Sequence, residues 1–421
     1  MIDLHTIGQL FITLVIVSLA TQLWLANRHI KHVQANRASV PEEFEGQIPL
    51  DAHQKAADYT IARTRFGRID SVTGSIVLLA LTLGGGLEIL DQTWRGLGWD
   101  TLWTGIAYMI SLMILMSLID IPFSLYRTFV IEEKFGFNKS TITVFITDIF
   151  KGAFLTILIG TPLLWVVLWI MQQAGSLWWL YVWAVWFGFS LLMMWAYPAF
   201  IAPMFNKFKP LESSDLKTRI EQLMSQCGFK SNGIFVMDGS KRSAHGNAYF
   251  SGIGNKKQIV FYDTLIDQLE AEEIEAVLAH ELGHFRMHHI RKRLIMMGAM
   301  SLGSLFILGW LIQQNWFFAG LGVSTQSTYM GLVLFMLLAP VVGFFLTPLM
   351  SLLSRKHEFE ADAFAARQRD ANLLIKALVK MYEENASTLT PDPVYSNFYD
   401  SHPPAPIRIQ HLKNQPQSIT E

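Results

Sequence analysis

Seven stretches of this 421-residue chain are apolar over roughly the twenty residues that about 30 Å of hydrocarbon demands of a helix. They lie near residues 7–26, 72–90, 102–123, 150–171, 177–200, 294–312 and 329–353. Lipid offers backbone groups no partner, so each must be a helix rather than an open strand. Composition agrees: 16% of residues are charged, against about 25% in ordinary soluble domains. The expected fold class is therefore an α-helical integral membrane protein. Its parts would be a five-span region (1–205), an extramembrane domain (206–293), two more spans (294–353) and a C-terminal region (354–421). The first span lacks a basic leader and a small-residue cleavage site, so it reads as retained. A net charge of -1 offers nothing to nucleic acid. The single cysteine, Cys227, excludes disulfide frameworks and Cys-rich metal sites and reads as a packing residue.

Lys and Arg set an expected orientation. Arg28, Lys31, Arg37, Lys55, Arg63, Arg65 and Arg68 follow the first span, and Arg127, Lys134 and Lys139 follow the third. The opposite connections offer only Arg95, and residues 173–176 and 314–327 have none. The positive-inside rule then puts the N-terminus outside and both 206–293 and the C-terminal region in the cytoplasm. Trp165, Trp169, Trp178, Trp179 and Trp183 crowd the outer turn of spans four and five, where an interfacial belt is expected. Glu88 and Asp120 lie inside apolar stretches but near span ends, so snorkelling is the plainer reading.

The chemistry sits on a helix expected from about Ala271, which carries His280-Glu281-Leu282-Gly283-His284. Acids fill its first turn and Arg286, Arg291, Lys292 and Arg293 follow its end, as the helix dipole favours. Two His four residues apart share one face and can reach a single Zn²⁺, with Glu281 placed to take a proton from water. Such a match arises by chance in roughly 1% of chains this long, so it needs independent support. Glu358 supplies it as a third ligand, emerging just beyond the seventh span as His284 lies just before the sixth. Asp362, one turn later, is expected to orient a ligand imidazole. His288 and His289 are expected at the membrane interface rather than on metal. His245 and His357 point off the ligand faces by spacing.

With these motifs the chain resembles the CAAX prenyl protease type I family, membrane zinc proteases related to the yeast a-factor-processing enzyme. The resemblance rests also on Glu133-Lys134-Phe135-Gly136-Phe137-Asn138-Lys139, on residues 239–250, and on Ser401-His402-Pro403-Pro404 followed by Arg408. It covers essentially the whole chain and departs at Gly246, where eukaryotic relatives are expected to carry Ser. It implies seven helices ringing a water-filled chamber, capped by a mostly helical zincin domain with a small β-sheet. It implies peptide-bond hydrolysis, with eukaryotic members removing a C-terminal tripeptide from prenylated CAAX proteins. Substrate peptides or membrane proteins and the lipid bilayer are the partners implied. By the same resemblance Asn247, His402 and Arg408 become candidates for substrate and transition-state contacts.

Physical alternatives stay open for these three. Strands expected at 233–238, 247–252 and 258–262, the last two joined through Gly254-Asn255, would offer an edge to an extended peptide, with Asn247 anchoring it or merely capping the strand. His402 is a donor to a developing oxyanion or a surface histidine. Arg408 serves the same oxyanion or pairs with an acid. Three rival functions fit less well. An intramembrane zinc protease would bury its HExxH within a span, a heat-shock-type membrane protease lacks the early spans, and a transporter needs no such ligand set. A bacterial inner membrane is the expected location, or the endoplasmic reticulum in a eukaryote; residues 417–421 carry no KDEL-type signal.

Overall fold

In the computed structural model the described residues are 4–212, 215–251 and 256–415, so the Gly254-Asn255 turn and residues 417–421 lie outside them. The long helices α1 (Leu4–Ala35), α2 (Leu50–Leu81), α3 (Gly86–Arg95), α4 (Thr101–Tyr126), α5 (Ile142–Gln173) and α6 (Trp178–Ala196) build the first five crossings. A short α7 (Ala202–Phe205) leads into α8 (Asp215–Gln226), a four-stranded sheet, α9 (Asp263–Gln268) and α10 (Ala271–Arg286). The chain re-enters through α11 (His289–Leu311), turns at α12 (Asn315–Ala319) and returns through α13 (Thr328–Gly343) and α14 (Thr347–Gln368). It finishes with α15 (Ala371–Glu384), α16 (Pro393–Tyr399) and α17 (Ala405–Lys413). Six helices are long and apolar enough to cross a membrane, and α2 with α3 makes a seventh if the pair counts as one span.

That second crossing corrects the continuous helix expected over 72–90. It bends by 49° between α2 and α3. Gly84-Gly85-Gly86 explains the break: Gly85 sits at φ +80°, and a Cβ on Gly84 would lie 2.6 Å from the Ala80 carbonyl. Glu88, in the first turn after the break, accepts from the Ser324 N–H (3.0 Å) and hydroxyl (2.6 Å). Among the described residues Asp120 accepts only from the Ser124 hydroxyl (3.1 Å).

The spans meet at one end and part at the other. Buried positions fall at 104–112 on α4, 167–171 on α5, 308–311 on α11 and 329–334 on α13, all on the side away from the sheet. With Phe11, Val15, Leu87 and Phe317 they form one apolar core. Across their most apolar windows the six spans bury only 11–28% of their residues. Burial this low suits helices that keep much of their surface in lipid. Part of the expected tryptophan belt instead packs helix on helix. Trp178 is buried, Trp179 fills the notch at Gly309, and the Trp183 indole donates to the Gly298 carbonyl (3.0 Å). Glycines on α11 make that room, whereas Trp165 and Trp169 stay exposed.

The extramembrane core joins residues far apart in sequence. Phe44 and Ile48, then Ile220, Ile259, Leu278, Leu374, Ile409 and Leu412, belong to a single cluster. Against it lies the sheet of β1 (Phe208–Pro210), β2 (Lys230–Met237), β3 (Ala248–Ser251) and β4 (Lys256–Tyr262), in the order β1-β2-β4-β3. β2 and β4 run parallel while β3 pairs antiparallel to β4, leaving β3 as a sheet edge. The loop 133–139 closes onto the segment before β3: Lys139 N–H donates to Arg242 O (3.1 Å) and Ala244 N–H to Phe137 O (3.1 Å).

Candidate metal centre

A capping box starts α10, with Glu270 and Glu273 each bonding the other's backbone, and four residues per turn then bring His280 and His284 to one face. α14 runs on from the last crossing and crosses α10 at Gly283. A Cβ there would lie 3.1 Å from Ala361 Cα and 3.2 Å from its carbonyl oxygen, so glycine sets how closely the two helices approach. The approach delivers Glu358 to both imidazoles. His280 Nε2 and His284 Nε2 are 3.2 Å apart, and Glu358 oxygens lie 3.4 Å and 3.3 Å from them.

Those spacings fit a metal ion. A tetrahedral cation about 2.0–2.1 Å from each ligand atom separates its ligands by about 3.3–3.4 Å. Glu358 Oε2 is buried without a hydrogen-bond partner, which a cation would supply. The far sides of both rings are also engaged. His280 Nδ1 is 2.8 Å from Asp362 Oδ1, so an Nδ1–H donated there leaves Nε2 with its lone pair towards the cation. Burial works to lower the His280 pKa, but hydrogen bonds to Asp362 and Glu358 outweigh it and raise it to about 9. A cation must displace that proton.

The second imidazole has a support that spacing did not reveal. His284 Nδ1 lies 3.0 Å from His289 Nδ1, and His289 Nε2 lies 2.8 Å from Glu360 Oε2. His289 is buried and stacks on His357 with centroids 4.1 Å apart. His289 thus opens the candidate span α11, off the ligand group but bonded to one of its members. His288 adopts a left-handed φ of 58°, breaking the chain between α10 and α11 and swinging His289 back under His284. Only Glu360, between Glu358 and Asp362 on the same helix, hinted at a partner in the sequence.

The remaining candidates take distinct places. Glu281 is half-buried, and its carboxylate has no hydrogen bond or ion pair among the described residues. His402 points its Nε2 to within 3.5 Å of Glu358 Oε1 while its Nδ1 faces the Ser401 hydroxyl at 3.0 Å. Desolvation in the cleft lowers its pKa, with Glu358 pulling the other way. Arg408 is buried and forks onto Asp362 at 2.9 and 2.5 Å, with Glu358 4.0 Å away. Its charge is committed to an acid, the alternative to an open substrate contact. Asn247 stands exposed one residue before β3, its Oδ1 accepting from Ala248 N–H (2.8 Å). That bond caps the strand and leaves the amide NH₂ without a partner among the described residues.

Known proteins repeat this arrangement. Residues 29–207 match the five-helix N-terminal domain of CAAX prenyl proteases, and residues 210–415 match peptidase family M48. The chain is 37% identical to the CAAX prenyl protease 1 homolog of Arabidopsis thaliana, covering 90% of this chain and 91% of that one. It is 34% identical to CAAX prenyl protease 1 of Saccharomyces cerevisiae, with 91% and 90% covered. The crystal structure of S. mikatae Ste24p superposes with a TM-score of 0.91 at 30% identity over 98% of this chain and 99% of that chain. A multi-pass membrane chain with this ligand set and these relatives belongs to peptidase family M48, among its CAAX prenyl protease 1 members.

Proposed function

We propose that the chain is a zinc-dependent endopeptidase that clips CAAX-type C-terminal tails, its metal held by His280, His284 and Glu358. The observation carrying this is the convergence of three ligand atoms from α10 and α14 at tetrahedral spacing, all within 4.8 Å of one another. Bound zinc supplies Lewis acidity, lowering the pKa of water and polarising the scissile carbonyl. Glu281, with no competing partner, takes the proton from the attacking water and returns it to the leaving amine. A neutral His402 that accepts the Ser401 hydroxyl at Nδ1 presents Nε2–H to the developing oxyanion. Asp362 and His289 hold the two ligand imidazoles in the required tautomer, and Arg408 holds Asp362. The β3 edge pairs with an extended substrate, Asn247 offering its free amide at the strand start. By the distribution of Lys and Arg, this machinery faces the cytoplasm and the N-terminus lies outside.

Glu281→Gln tests the assignment. The variant should bind one metal ion per chain as the parent does, while cleavage of a farnesylated CAAX peptide falls by at least about a hundredfold. Proteolysis at the parent rate would remove Glu281 from the mechanism and with it this reading.

A further inference from the structure

A polar cavity of about 550 Å³ lies between α1, α2 and the segments 385–387 and 395–400. Both lips of the metal cleft border it. Asp400 lines its wall two residues before His402, a separation of at most about 7 Å along the chain. Asn385 lines it too, and its Oδ1 accepts from Gly246 N–H (3.1 Å), next to Asn247. The opposite wall is the face of α2 that carries Tyr59, Arg63 and Gly67 at four-residue intervals.

Two arginines, Arg63 and Arg68, reach this cavity, and they differ in their commitments. Arg68 bonds Asn27 across to α1. Arg63 forms no salt bridge among the described residues; it lies over the Tyr59 ring, 5.3 Å from the centroid, and is exposed to the cavity. Glu132, whose charge Arg63 feels, is itself taken by the Tyr59 hydroxyl (2.6 Å) and by His245 Nε2 (3.4 Å). A guanidinium that leans on Tyr59 but has no salt bridge among the described residues, in a polar cavity next to a peptidase site, suits a carboxylate.

We infer that this cavity is the subsite for the free C-terminal carboxylate of the substrate, with Arg63 as its anchor. The inference rests on the CAAX-tail reading and deepens it. Three extended residues span about 10 Å, more than the two-residue step from His402 to Asp400 on the cavity wall, so a carboxylate three residues beyond the scissile bond has the reach to enter it. The anchor makes the enzyme measure from the chain end, which selects one bond for cleavage.

The test uses the full-length enzyme and two farnesylated CAAX peptides that differ only in ending as carboxylate or carboxamide. The wild type should prefer the acid. Arg63→Gln should raise KM for the acid enough to lower kcat/KM by roughly ten- to a hundredfold, leave the amide unchanged, and keep its metal content. Arg63→Lys should recover part of the preference. A wild type that cleaves both peptides equally overturns the subsite alone, as does a variant that slows on both alike or on neither. Cleavage of neither peptide by the wild type overturns the substrate reading, and the subsite with it.

Discussion

Replacing Gly283 with alanine probes the closeness of α10 and α14 on which the metal centre depends. The new Cβ would lie 3.1 Å from Ala361 Cα, 3.2 Å from Ala361 O and 3.2 Å from Phe364 Cβ. Ordinary contact begins at about 3.4–3.5 Å, so the helices must part by a few tenths of an ångström. Two of the three contacts are backbone atoms, so no rotamer change relieves them. Glu358 sits three residues before Ala361 on the same helix and moves with it. Ligand distances in metal sites fall within about ±0.2 Å of their standard values, a range that this displacement matches or exceeds. Overpacking at this point should cost about 1–3 kcal/mol of stability, and metal affinity should fall by about ten- to a hundredfold, as when a supporting partner is lost. Chelator competition on the detergent-solubilised protein measures the affinity, with peptide cleavage alongside. Gly303→Ala on α11 is the control, because a Cβ there meets nothing within 4 Å. If Gly283→Ala binds metal and turns over like the parent, the helix separation does not govern the site and the reasoning fails.

Two further outcomes follow from the support around the ligands. His289→Ala leaves His284 Nδ1 without its acceptor, so metal affinity should drop about ten- to a hundredfold while the fold persists; unchanged retention in chelator competition would make the His284–His289–Glu360 chain incidental. The raised His280 pKa gives metal binding a pH dependence of known sign. In the cation-free site His280 keeps its proton until pH rises through about 9, so the proton competes with the cation at every pH below that. Apparent affinity should therefore climb between pH 6 and 9, by up to about tenfold per unit, and flatten above; a flat profile across that range would show that no such proton is displaced.

The crossings, the shared face of His280 and His284, and the later acids at Glu358 and Asp362 were legible without coordinates. Each is a local pattern: run length against bilayer thickness, or residues one helical turn apart. Even the helix start at Ala271 follows from the acids around it. What the sequence could not disclose depends on contacts across long separations, which leave no period to read. Nothing in the order of residues says that α10 and α14 meet at Gly283. Nor does it say that Arg408 is spent on Asp362, 46 positions away. His289 shows the boundary most sharply. Helical spacing from His284 puts it off the ligand face, and a single left-handed residue, His288, returns it to the site. Local patterns thus name the candidate groups and the elements they ride on. Which of them converge at the candidate metal centre, which bond one another and which keep no partner among the described residues depends on the fold, because burial and packing commit each charge to one partner.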